Sequence, residues 1–297
     1  MGTQSAETKR IVVGLDTSPE AADALEWARM VAGPDDSIVA LRAWKVPPLV
    51  TSIVPTAADK AAFETLVANE LAHALAELGD DRVVPMHPPG HAGKAIVEAA
   101  ADADLVVVGH RGDSNVAMLG STANYLLHHA PCPVAVVRGA HRPFATRRVV
   151  VGVDVPPSDE CASDDESVRA LQWAYRIPDV EQITVLHGWF LPPLEVTTYE
   201  SWAKEAEVVD AVVRVELDRT IEAAGAPPDG ASVRSEVVRS AAASALIDAS
   251  ADADLVVVGS RGRGGFAGLL LGSTSATVAA HSHAPVVVVR RENSAGG

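Results

Sequence analysis

Residues 256–275 read VVVGSRGRGGFAGLLLGSTS, and their types and spacing suit the binding of an anion. A Val-rich run ends at Gly259, five glycines fall within residues 259–268, and Gly272-Ser273-Thr274 opens a helical pattern. Glycines let another group come close to the backbone. A helix N-terminus presents unsatisfied N–H groups and partial positive charge. Ser273 or Thr274 is expected to cap that helix. Arg261 and Arg263 add cationic side chains. Together these groups would cradle a phosphate. The stretch is not a P-loop, because no Lys follows its glycines. Nor is it a dinucleotide fingerprint, because its glycines do not open a first strand–helix unit. GHAGKAI (90–96) has a Gly-Lys at the wrong spacing and reads as a helix start.

A loop of this kind needs a strand before it and a helix after it, and the sequence supplies that frame twice. ADADLVVVG occurs at 101–109 and again, unchanged, at 251–259. RIVVGLD (10–16) is answered by RVVVGVD (148–154), LRAWKVPP (41–48) by LHGWFLPP (186–193), and APCPVAVVR (130–138) by SHAPVVVVR (282–290). The order is the same in both halves. Two copies of one domain follow, over 1–140 and 147–297, joined through GAHRPFATR (139–147). Val/Ile-rich runs with little polar alternation predict strands near 10–15, 37–44, 82–86, 104–109 and 133–138, and near 148–153, 182–188, 231–238, 254–259 and 285–290. Helical spacing between them predicts helices such as 19–32, 57–78, 91–101 and 121–129. Strand–helix alternation predicts an α/β fold: a parallel sheet with helices on both faces. Such a sheet binds ligands beyond the C-terminal ends of its strands, where the glycine loops fall.

These elements resemble the universal stress protein family. Gly259, Gly262, Gly272 and Ser273 match its signature G-x2-G-x9-G-[ST]; a first strand ending in Asp (Asp16, Asp154), the LHG element and the HAPCPV before the last strand are also similar to it. The resemblance covers nearly the whole chain, once per copy. It implies two tandem five-stranded parallel α/β sandwich domains of strand order 3-2-1-4-5. It also implies ATP binding, with Mg²⁺, in one branch of the family. Asp16 and Asp154 would contact adenosine. The backbone at Ala43 and Gly188 would hold adenine. Gly109, Gly112, Gly120 and Ser121 in copy 1, and Gly259, Gly262, Gly272 and Ser273 in copy 2, would hold ribose and phosphates. The role implied is that of a nucleotide-linked regulator of stress response or growth arrest, not a dedicated catalyst. Relatives also imply an intramolecular pseudo-dimer about a pseudo-two-fold axis, joined through the final strands, with a whole-chain homodimer as a weaker expectation.

Two departures separate the copies. Gly112 to Gly120 encloses seven residues where Gly262 to Gly272 encloses nine, and Asp113 stands where copy 2 has Arg263. A carboxylate facing phosphates would cost on the order of 1 kcal/mol at surface-like screening, so copy 2 is expected to be the stronger site. Copy 2 carries an insertion of eight residues between Asp154 and Trp173, which brings Asp159, Glu160, Asp164, Asp165 and Glu166. The insertion is expected to be a solvated acidic loop, with a divalent-ion site as the sharper alternative.

Composition narrows the remaining classes. A net charge of −15 disfavours nucleic acid. No apolar run reaches the length of a membrane span, the first residues show no secretory h-region, and Cys132 and Cys161 form no disulfide framework. A cytoplasmic protein is the expectation. His128/His129 and His281/His283 are poorly spaced as ligand pairs, so no metal site is expected from them. Trp27, Trp173, Trp44 and Trp189 recur between copies and are expected to pack. No nucleophile with a paired base is in view, so ATP turnover faster than about 1 per second is not expected. Two alternatives stay open. One is a nucleotide-free dimerising scaffold. The other is an adenylyl-transfer or pyrophosphatase enzyme, which would need a Ser-Gly-Gly-x-Asp-Ser loop that GLDTSPE does not provide.

Overall fold

A computed structural model describes residues 8–46, 56–111, 119–138, 147–155, 166–190, 199–262 and 270–290, the side chains of 199–205 apart. The chain divides into two compact units, Met1–Arg142 and Pro143–Gly297.

Unit 1 runs β1(Arg10–Gly14), α1(Pro19–Val31), β2(Ser37–Leu41), α2(Ala57–Ala76), β3(Val83–Met86), α3(Ala92–Ala99), β4(Leu105–Gly109), α4(Ser121–His129) and β5(Val134–Val137). Its strands are all parallel. β1 pairs with β2 and β4, β2 with β3, and β4 with β5. The order is therefore β3-β2-β1-β4-β5. Unit 2 repeats it with β6(Arg148–Gly152), α5(Glu166–Ala174), β7(Gln182–Gly188), α6(Tyr199–Ala224), β8(Ser232–Val238), α7(Ala242–Ala249), β9(Leu255–Gly259), α8(Ser273–His281) and β10(Val286–Val289). Parallel pairings again give β8-β7-β6-β9-β10. Both units show the 3-2-1-4-5 order that the resemblance implies.

Apolar runs make the central strands. LVVVG, used for both β4 and β9, is buried on both faces because helices cover both. Local chemistry starts the helices. Ser18 caps α1, accepting the Ala21 N–H at 3.3 Å, with Pro19 at the first position. Thr56 and Asp59 form a reciprocal capping box on α2. Trp27 is fully buried and Trp44 nearly so, as packing residues should be. In each unit the first strand (β1 or β6) lies between the second and the fourth. The chain thus leaves its C-terminal end in opposite directions, and that crevice is where an open parallel sheet receives a ligand.

Candidate functional site

In unit 2 the ends of β6, β7 and β9 and the start of α8 enclose a cleft of about 270 Å³. Eight residues singled out in the sequence line it: Asp154, Gly188, Gly259, Arg261, Gly262, Gly272, Ser273 and Thr274. Residues up to 120 positions apart in the chain, Asp154 and Thr274, thus meet on one wall system. Leu186, Leu246 and Val258 give the cleft its apolar side. Asp154 is the one carboxylate among its described lining residues.

The cleft is polar where the glycines stand. Gly272 is the N-cap of α8, in extended backbone (φ −75°, ψ 151°), and no side chain caps the helix. This corrects the expectation that Ser273 or Thr274 does so: both lie inside the first turn, past the cap position. The Gly272 N–H donates to the Ser260 carbonyl at 2.7 Å, and the Ser275 hydroxyl donates to the Gly259 carbonyl at 2.6 Å. These two bonds press the strand end against the helix start. The first N–H groups of α8 have no intrahelical acceptor, and Ser273, Thr274 and Ser275 all line the cleft. Gly262 lies close against Asp154: a Cβ there would stand 2.6 Å from Asp154 Oδ2, so that carboxylate would have to shift. His187 turns its ring to the Val153 carbonyl, with Nδ1 at 3.0 Å, which assigns the proton to Nδ1 when the ring is neutral.

Glu166, counted with the acidic insertion in the sequence, belongs to the shared frame and not to a solvated loop, since anchoring on Trp27 and Trp173 aligns it with Glu20. Residues 156–165 lie outside the described residues, but Glu166 begins α5 and is largely buried. Its Oε2 accepts the Arg261 backbone N–H at 2.6 Å and the Ser260 hydroxyl at 3.0 Å, and its Oε1 accepts Arg261 Nε–H at 3.3 Å. Next to it, the Ser167 hydroxyl accepts the Asp154 N–H at 3.0 Å and donates to the Asp154 carbonyl at 3.2 Å. Sequence reading passed over Ser167 and took Glu166 only as part of the acidic run, with a divalent-ion site as its alternative role. Anchoring the copies on Trp27 and Trp173 would have found them, because it sets Glu166 against Glu20 and Ser167 against Ala21.

Copy 1 arranges its counterparts differently. Asp16 follows β1, and its Oδ1 accepts the Ser18 N–H at 2.9 Å and the Ser18 hydroxyl, so this carboxylate serves the start of α1. Ala43 follows β2 beside Arg42, which pairs with Glu70 at 3.1 Å. Gly109 ends β4, Gly120 is the N-cap of α4, and Ser121 is its first residue. The Gly120 N–H donates to the His110 carbonyl at 2.8 Å. His110 replaces Ser260; it is buried, with Nε2 2.6 Å from Arg138 Nη2. A guanidinium can only donate, so His110 Nε2 is the acceptor and the ring is neutral. Burial, and then the neighbouring Arg111 cation, pull Arg138 down to about 10. Gly112, Asp113 and Arg263 lie outside the described residues. Among the described residues no group of three or more His, Cys, Asp or Glu is placed to hold a metal ion, and no helix is long and apolar enough to cross a membrane.

The sequence matches the universal stress protein family twice, over residues 7–138 and 145–290. The chain belongs to the universal stress protein family. A universal stress protein of Mycolicibacterium smegmatis is 32% identical over 308 residues, spanning 97% of this chain and 99% of its own. Another, from Mycobacterium tuberculosis, is 31% identical over 300 residues, 94% of this chain and 96% of its own. The solved structure of a universal stress protein from Archaeoglobus fulgidus shares the fold, with a TM-score of 0.62 at 20% identity over 96% of this chain and 97% of that one. The tandem organisation is therefore common to whole relatives.

Proposed function

We propose that this tandem universal stress protein binds ATP in the unit 2 cleft and acts as a nucleotide-linked regulator of stress response or growth arrest. One observation carries the reading: eight motif residues, distant in sequence, converge on one cleft that ends at an uncapped helix N-terminus. The apolar side formed by Leu186, Leu246 and Val258 suits a purine. The N–H groups of α8 suit phosphates. Asp154 suits a ribose hydroxyl, and the backbone at Gly188 suits the base edge. Mg²⁺ would come in on the phosphates and keep most of its waters, since Asp154 is the single carboxylate on the described wall. No described residue of the wall pairs a nucleophile with a positioned base, so the chain is read as holding the nucleotide and not as turning it over rapidly. We place the protein in the cytoplasm and give it no nucleic-acid partner, on its charge of −15. We also propose that the two units pair as a pseudo-dimer through their final strands.

The test is titration with ATP beside the variant Gly272→Glu. An added Cβ at Gly272 meets only ordinary contacts, the nearest at 3.4 Å, and the backbone there suits any residue. The variant therefore folds, while its carboxylate occupies the phosphate position. ATP affinity is expected to fall at least tenfold. Wild-type affinity in Gly272→Glu overturns the assignment. Nucleotide released on denaturing the purified protein separates this reading from that of a nucleotide-free scaffold.

A further inference from the structure

We propose that Glu166 is the positioning residue of the unit 2 glycine loop: it fixes the Ser260–Arg261 turn from behind and leaves the outer end of the Arg261 guanidinium to meet the ligand's phosphates. The proposal rests on the reading that unit 2 binds ATP. Glu166 and Ser167 are consecutive residues at the start of α5, yet they hold two different loops. Ser167 takes both backbone polar groups of Asp154, and Glu166 takes the Arg261 N–H, the Ser260 hydroxyl and Arg261 Nε. The two loops approach at Gly262, where a Cβ would stand 2.6 Å from Asp154 Oδ2. One helix turn thereby holds both loops where they border the cleft.

Position decides what the carboxylate does. Arg261 lines the cleft, whereas Glu166 stands outside its wall with 13% of its side chain exposed. The cation borders the cleft, and the carboxylate paired with it does not. The Nε edge of Arg261 is engaged, and its Nη groups make no hydrogen bond among the described residues. A guanidinium held by one edge is aimed, and a Ser260–Arg261 turn held by these bonds loses little conformational freedom when the ligand arrives. Copy 1 has the same residue types at the matching positions, Glu20 and Arg111, but they do not pair. Arg111 Nε is buried without an acceptor, and Ala21 stands where Ser167 would be. The staple therefore belongs to unit 2 alone.

The full chain is titrated calorimetrically with ATP and with adenosine, as wild type, Glu166→Ala and Glu166→Gln. Adenosine carries the base and ribose but no phosphate, so it reports general damage to the cleft. Glu166→Ala is expected to weaken ATP at least tenfold and to leave adenosine within twofold. Glu166→Gln keeps an acceptor for the Arg261 N–H and Ser260 and is expected to regain most of the ATP affinity. Unchanged or tighter ATP binding in Glu166→Ala overturns the proposal, because the carboxylate would then oppose phosphate. A parallel fall for adenosine also overturns it. Amide exchange at Arg261, measured without nucleotide, is expected to quicken at least tenfold in Glu166→Ala, and an unchanged rate removes the staple. Wild-type protein that binds neither ligand refutes the reading of unit 2 as an ATP site, and the exchange rate then judges the staple separately.

Discussion

Gly109 opens the glycine signature of copy 1 and Gly272 closes that of copy 2, and different forces act on them. A Cβ on Gly109 would lie 2.8 Å from the Glu20 carbonyl oxygen and 2.9 Å from its carbon, so the end of β4 packs directly on the α1 backbone. A Cβ on Gly272 meets nothing closer than 3.4 Å. Gly109→Ala is expected to destabilise unit 1 by about 1–3 kcal/mol through overpacking. Gly272→Ala meets no steric strain and should cost about 1 kcal/mol or less, as the loss of an N-cap glycine does. Urea unfolding of the two variants checks the pair, and equal losses would refute the distinction. Spacing alone shows that both glycines belong to a motif; it cannot say which one is packed against protein and which has open space beside it. The same limit applies at Glu166. In sequence it ends an acidic run and looks solvated, and only folding brings its carboxylate onto Ser260 and Arg261, 94 and 95 positions away.

Elements were legible where one force dominates. The central strands, such as β1, β4, β6 and β9, are Val/Ile-rich runs buried between helix layers, and hydrophobicity alone marks them. Helix ends are decided by single hydrogen bonds, and α8 shows the cost of reading them from composition: a Ser and a Thr are at hand, but Gly272 takes the cap position. The C-terminal end of α1 depends on a residue far along the chain. Arg82 Nη1 donates to the Ala32 and Gly33 carbonyls at 3.0 Å each, while Nε and Nη2 grip Asp80 at 3.0 and 2.8 Å. Arg29 Nε also donates to Asp80, at 2.8 Å. The bonds from Arg82 and then Arg29 hold the Asp80 carboxyl well below the usual carboxylate range, against the opposing effect of burial. A depressed folded pKa means that the unfolded chain binds the proton more readily. The stabilisation is complete above about pH 4, the unfolded value, and is lost as pH falls from there through the folded one. Asp80→Asn is expected to cost about 1–3 kcal/mol at pH 7, with the gap to wild type closing below about pH 4. Urea unfolding across pH 3–7 reads it, and a gap independent of pH would refute the charge-based account.

The whole molecule was legible because it repeats itself: nine identical residues at 101–109 and 251–259 announce two units before any helix is assigned. Within each unit the two outer strands differ in character. β3 carries Pro85, and β8 carries Arg234 and Glu236, residues that discourage further pairing. The final strands, VAVV and VVVV, carry no such guard. This contrast is the ground for expecting the units to associate through β5 and β10. A protease site placed within 139–146 tests it: after cleavage the halves are expected to co-elute on size exclusion, and separation into two half-sized species would defeat the pseudo-dimer. The unequal pairs Glu166–Arg261 and Glu20–Arg111 bear on heredity as well as on binding. In an assembly of identical subunits every mutation is inherited at all sites at once, so no site can be relaxed without relaxing the rest. Two copies written into one reading frame remove that tie. Each can drift alone, and under the proposed ATP reading one chain would respond over two separate concentration ranges with a fixed one-to-one ratio of strong and weak sites.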